Sequence, residues 1–136
     1  MKKLLALLST AFITLSASQW ALANEFTDLR SQLSAARESL VTLMVNKDKR
    51  GADQQKLVKN TADAVSAALA KVKAPAGKEA QLKELVETWS AFKKTREVEL
   101  VPAILAGKDD EAKKLAGGIQ KERITKCQQL VGELGG

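Results

Sequence analysis

The fold class this sequence predicts is all-α, an antiparallel up-down-up-down four-helix bundle behind an N-terminal signal peptide, and three observations carry that prediction. Apolar residues recur at spacings of three and four through four separate segments. No run alternates with the period of two that a half-buried strand requires. The segments are joined by short links that carry Gly, Pro or Asp.

Residues 1–23 read as a signal peptide and are set apart from the fold. Lys2 and Lys3 form a basic start, Leu4 to Leu15 an apolar core, and Ala21-Leu22-Ala23 a small-x-small site, so cleavage is expected before Asn24. The apolar core falls well short of the roughly 20 residues that span a bilayer, and Ser16, Ser18 and Gln19 follow it, so no stable membrane span is expected after cleavage. The expected location is the periplasm. Residues 24–136 form the bundle, and 113 residues support one domain that buries roughly two-thirds of its unfolded surface.

The first helix follows Phe26, Leu29, Leu33, Ala36, Leu40 and Leu43, a stripe that only a helix gathers on one face. Thr27 or Asn24 suits its start. Lys47, Lys49 and Arg50 suit the negative end of its dipole, and Gly51 a left-handed stop. The second helix, capped by Asp53, follows Val58, Ala62, Val65, Leu69 and Val72 until Ala74-Pro75-Ala76-Gly77 breaks it. The third opens near Lys78, places Leu82, Leu85, Trp89 and Phe92 on its seam and runs to about Ala106. Pro102 should kink it or end its regular part, because proline supplies no amide to the carbonyl of Val98. Gly107 suits the stop, Asp109 caps the fourth helix, and Asp110 and Glu111 place negative charge at its positive end. Links this short make sequential helices antiparallel, crossing at about 20° where the spacing is heptad-like.

Composition narrows the function. Removing Lys2 and Lys3 takes 22 basic residues to 20 against 16 acidic ones, a net charge of +4, with the two signs interspersed; nucleic acid is not an expected partner. Cys127 is the only cysteine, so no intrachain disulfide forms and packing must hold the fold. It is either a buried small hydrophobe or a free thiol open to an interchain bridge; Ile124, Cys127, Val131 and Leu134 share one stripe, which favours burial. There is no histidine, which removes His-based catalysis, most transition-metal sites and the usual axial haem ligand. No nucleophile has a suitable neighbouring base and no Gly-rich phosphate loop follows a strand. Neither an enzyme nor a cofactor is expected.

Charged residues interrupt two seams. Four residues beyond Phe92 stands Arg96, and the fourth-helix seam of Ala112, Leu115 and Ile119 reaches Glu122 or Arg123. With the turn near Lys108, Arg96 falls level with about residue 121. One arrangement leaves Arg96 and Glu122 as an ion pair at the bundle edge. The other sets a polar layer inside the bundle, with Arg96 and Arg123 as the positive lobe of an anion site, Glu122 beside them and Trp89 as an apolar wall. By its seam position Trp89, like Phe92, belongs first to the core.

From Trp89 to Ala116, and most clearly in LVPAILAGKDDEAKKLA, the sequence resembles the helix 3 to helix 4 hairpin of the ligand-binding domain of methyl-accepting chemotaxis receptors. The resemblance implies an extracytoplasmic, commonly dimeric four-helix bundle that senses small molecules or partner binding proteins, so a small anionic ligand, a periplasmic protein partner and a homodimer enter as expectations. A receptor continues into a second span, whereas this sequence closes on Gly135-Gly136, so a free-standing sensor-like bundle is expected. The cytochrome c prime group has the same size and layout, but its C-x-x-C-H haem motif is not met around Cys127, which leaves a cofactor-less relative as the alternative. A periplasmic helical chaperone or structural interaction protein is the other alternative, though the L-T-x-x-Q repeats of one such group are missing.

Overall fold

In the computed structural model, residues 25–135 are described; the expected leader over 1–23, its cleavage before Asn24, and Gly136 lie outside the described residues. Helix α1 covers 25–45 and buries the whole stripe from Phe26 to Leu43. A 3-10 turn at Lys47–Lys49 follows, with the Asn46 side chain accepting from the Asp48 amide. Helix α2 is Ala52–Lys71, and its buried Val58, Ala62, Val65 and Leu69 are the predicted seam. Helix α3 is Glu79–Thr95, entered through a turn in which Gly77 takes φ 81°. A π-helical segment at Arg96–Leu100 leads into α4, Val101–Leu105, and then come α5, Asp109–Gly117, and α6, Ile119–Gly135. The class is all-α: the described residues contain no strand, and the helices form the four arms of a bundle. None of these helices is long and apolar enough to cross a membrane.

Three predicted helix-end residues change role. Gly51 has φ −77° and is the N-cap of α2 rather than a left-handed stop for α1, and Asp53 sits in the first turn of α2 instead of capping it. The stop is unnecessary because Arg50 serves the orphan carbonyls at the end of α1: its Nε donates to Leu43 O at 3.0 Å and its Nη2 to Met44 O at 2.7 Å. Its Nη1 reaches Ile104 O of α4 at 3.0 Å, so one guanidinium ties two helix C-termini together at the pole where a cation is favoured. Asp109 is likewise not a cap. Lys108 holds that position, and the Asp109 carboxylate is drawn to Lys47 at 3.2 Å and Arg50 at 3.3 Å. Gly107 behaves as predicted: with φ 74° it lets its own amide bond Ile104 O and that of Lys108 bond Ala103 O, the Schellman pattern.

The third arm breaks before Pro102 instead of at it. Regular α-helix ends at Thr95, and the Val101 amide bonds Arg96 O, five residues back, so the wide turn is complete just before the proline that lacks a donor. The fourth arm breaks at Gly117-Gly118, which the seam reading did not anticipate. A Cβ at Gly118 would stand 2.8 Å from Lys114 O, so only glycine fits there. The inward face downstream becomes Gln120, Ile124, Cys127, Val131 and Leu134, and Ile119, expected on the seam, is 44% exposed.

Neighbouring arms pair in opposite directions. Asp63 meets Lys93 while Ser66 meets Trp89, which sets α2 against α3; Lys78 reaches Glu133 while Phe92 meets Gln120, which sets α3 against α6. Gly132 and Gly135 of α6 face Arg30 and Phe26 of α1. Among the described residues the buried apolar side chains form two clusters. One spans Phe26 to Ala36 with Trp89, Phe92 and the end of α6; the other gathers Leu40, Leu43, Val58, Leu100, Ile104 and Ala112. The boundary between them is polar.

Candidate functional site

Among the described residues Ser39, Arg96 and Gln120 are the buried polar ones, and along the chain each stands between members of the two apolar clusters. Arg96 lies one turn beyond Phe92 and one turn before Leu100, so the helical seam itself carries the guanidinium inward, where it is 0% exposed. It faces α1 and α2: Nη1 donates to Ala36 O at 2.7 Å, and Nη2 to Val58 O at 2.7 Å and to Ser39 Oγ at 3.5 Å. Ser39 Oγ also donates to Ala36 O and shares a 2.9 Å bond with Thr61 Oγ1. No carboxylate pairs with Arg96 among the described residues, and its Nε has no partner. Burial pushes its pKa down to about 10, with the nearby Glu97 opposing, so the group is a buried cation at neutral pH.

The structure separates the other predicted site residues from Arg96. Arg123 points into the groove between α3 and α6, where Nη1 donates to Thr95 Oγ1 at 2.8 Å, Gln120 Oε1 at 3.0 Å and Ala91 O at 3.5 Å. Glu122 is exposed and lines a shallow cleft of about 340 Å³ with Arg123, Glu87 and Lys126. The Arg96–Glu122 ion pair of the edge arrangement does not form, because the π turn and the Gly117-Gly118 break shift the level expected from an unbroken hairpin; Gln120 takes the inward place and donates to Phe92 O at 2.9 Å. Trp89 is 2% exposed, its ring centroid 5.3 Å from that of Phe92 and its Nε1 donating to Ser66 Oγ, and it does not line the cleft that holds Arg123. Cys127 is a buried free thiol whose pKa desolvation raises to about 12, with Lys126 opposing.

A pocket of about 290 Å³ opens on the other side of this layer, between α1, the π segment, α5 and α6. Its floor is Leu40, Phe92, Leu100, Gln120 and Ile124, all buried, and Val41, Met44 and Ala116 extend it outward. Both helix irregularities border it: Leu100 ends the π segment and Gly117 ends α5. A wide helical turn facing a residue without a side chain leaves space that two regular helices would close.

The charged residues on its lining are Arg37 and Lys113, both exposed; no acidic side chain lines it, and neither cation forms an ion pair among the described residues. The pocket is therefore an apolar hollow whose charged lining residues are cations, an arrangement that takes an apolar body and an anionic group. The sequence reading missed these two cations, since each sits on a helix face that reads as ordinary solvated surface. The usable signal was Gly117-Gly118 in mid-helix, which marks a place where something other than helix continuity is being accommodated. Comparison with protein families, with curated proteins and with solved structures finds no match to this chain.

Proposed function

We propose that this is an exported, non-catalytic, sensor-like bundle of the periplasm that binds a small anionic ligand in the pocket between α1, the π segment, α5 and α6. The observation that carries the reading is the pocket itself: an apolar floor of buried side chains, bordered by two cations that, among the described residues, form no ion pair and share the lining with no acid. Its volume of about 290 Å³ is near the lower end of ligand sites, roughly 300 Å³. The leader pattern of residues 1–23 supports export, and the likeness of Trp89 to Ala116 to a chemoreceptor hairpin supports a sensing role.

This moves the anion site from where the seam interruptions alone put it. Arg96 spends its terminal nitrogens on Ala36 O, Val58 O and Ser39 Oγ, so its part is to hold the layer beneath the pocket. Arg123 fixes Gln120, which forms part of the floor.

The test is a thermal-shift screen of small carboxylates on the wild type and on Ala116→Trp, which fills the trough without changing charge. A ligand that binds the folded state and not the unfolded one raises Tm, by an amount that grows with the logarithm of 1 + [L]/Kd. The wild type is expected to respond to apolar carboxylates and Ala116→Trp not to respond. Equal responses from both proteins, or none from either, would reject the pocket as the site. Periplasmic fractionation with intact-mass measurement checks export: a mature form beginning at Asn24 is expected, and a full-length form held in the cytoplasm would contradict it.

A further inference from the structure

Resting on the binding reading above, we propose that Met44 is an oxidation site in the lining of the pocket, and that conversion of its thioether to the sulfoxide by hydrogen peroxide lowers the affinity of the pocket for an apolar carboxylate. The first argument is where the oxidisable side chains lie. The sequence has no histidine and no tyrosine, which leaves cysteine, methionine and tryptophan as the side chains open to mild oxidation. Among the described residues these are Cys127, Trp89 and Met44. Cys127 and Trp89 are buried in the same apolar cluster. The Cys127 thiol, pushed up to about 12 by burial, also stays protonated and lacks the thiolate that a peroxide attacks. Met44 is half-buried, and beside it along α1 Val41 is 39% and Val45 70% exposed, so solvent meets this part of the helix. A thioether reacts without losing a proton. Exposure therefore decides, and the oxidant meets Met44 first.

The second argument is what the product does at that place. Met44 lines the pocket with Leu40, Val41 and Leu100, and it packs on the second apolar cluster. In the reaction a sulfur lone pair forms the S–O bond as the O–O bond breaks. The sulfur gives up two electrons, the proton of the transferred oxygen passes to the departing one, and the peroxide leaves as water. A flexible apolar side chain has become a polar one with a strong acceptor oxygen.

Each orientation open to that oxygen weakens binding. Turned into the pocket, it loses its water when an apolar body enters, the cost of any buried polar group without a partner. Turned onto a cation of the lining, it takes donors that the ligand's carboxylate would use. Turned out to solvent, it draws the side chain off the lining and removes an apolar contact. Methionine sulfoxide is reduced back by its epimer-specific reductases, so the change is reversible and the pocket answers to peroxide as well as to its ligand.

The purified protein and its Met44→Leu variant, each treated with hydrogen peroxide, test this by peptide mass mapping, far-ultraviolet circular dichroism and calorimetric titration with octanoate. Titrations are run before treatment, after it, and after repair with methionine sulfoxide reductases and dithiothreitol. Oxygen should enter at Met44 first, and the oxidised wild type, still helical, should bind octanoate about tenfold more weakly and recover on repair. Met44→Leu should bind alike before and after treatment, and Met44→Gln, which sets a polar amide at the same place without an oxidant, should be weakened by a similar factor. Oxygen entering at Cys127 or Trp89 first, an oxidised wild type that binds as tightly as the untreated one, or a Met44→Leu variant that loses as much affinity, overturns the oxidation site and leaves the pocket a binding site. No octanoate heat from the untreated protein overturns the binding reading and this inference with it.

Discussion

Arg96→Met is the substitution whose outcome is least obvious and most diagnostic, because the buried guanidinium has two opposing effects. Burial lowers its pKa to about 10, which disfavours the charged form by something on the order of 3 kcal/mol. Against this stand two short charge-assisted bonds, to Ala36 O and Val58 O, each contributing about 1.5 to 3 kcal/mol. Methionine fills much of the same volume, removes the charge, and leaves no orphan: Ala36 O keeps the Ser39 hydroxyl, Val58 O keeps the Thr61 hydroxyl, and both are carbonyls inside regular helices. The gain offsets half or more of the loss, so Arg96→Met should cost about 0 to 3 kcal/mol. Arg96→Ala should lose about 3 to 5 kcal/mol, because it opens a cavity at a fully buried position as well as removing the bonds. Urea unfolding followed by far-ultraviolet circular dichroism, with m-values compared, measures both. If the methionine variant is as unstable as the alanine variant, the charge itself holds the layer together and the balance above is wrong.

Other substitutions address separate parts of the account. Gly118→Ala should destabilise by about 1 to 3 kcal/mol in the same urea assay, since its Cβ would lie 2.8 Å from Lys114 O, whereas Gly117→Ala meets nothing within 4 Å and should be neutral or stabilise by up to about 1 kcal/mol. Cys127, buried and with its pKa raised to about 12, should react with a thiol reagent only as fast as the protein unfolds; rapid labelling of the native state would contradict its burial. The Asp109 carboxyl is held below its ordinary 3.8 by Lys47 first and Arg50 also. Its contribution is therefore complete above about pH 3.8 and is lost as pH falls further, so the stability difference between wild type and Asp109→Asn should shrink in acid. A difference that grows below that pH would reverse the sign of the argument.

What the sequence made legible was whatever depends on near neighbours in the chain. The stripe from Phe26 to Leu43 and the stop at Gly107 follow from helical periodicity and from a glycine placed one residue past a helix, and both stand as read. Gly51 and Asp109 were misread because their roles were taken over from a distance: Arg50 satisfies the α1 carbonyls that Gly51 would have served, and with Lys47 it draws Asp109 out of its cap. Pro102 correctly announced a break, but the chain relieves the missing donor by widening the preceding turn, a choice that packing of Leu100 and Ile104 settles. The inward position of Arg96 was written in the three-and-four spacing. Its partners were not, because hydrogen bonds to carbonyls of α1 and α2 leave no mark in composition. Arg37 and Lys113 belong to the same class, since their significance comes from the register between two helices distant in the chain.

The central claim, that the trough between α1, the π segment, α5 and α6 is a ligand site, has a built-in reporter in Met44, which lines it and is one of two methionines in the sequence. Carbon-13 methyl-methionine labelling gives resonances that Met44→Leu assigns. On titration of the mature form, in which Met44 is the single methionine, with octanoate as an apolar carboxylate, the Met44 methyl signal should move and saturate. A Met44 signal that does not move, or that drifts linearly without saturating, would contradict the account.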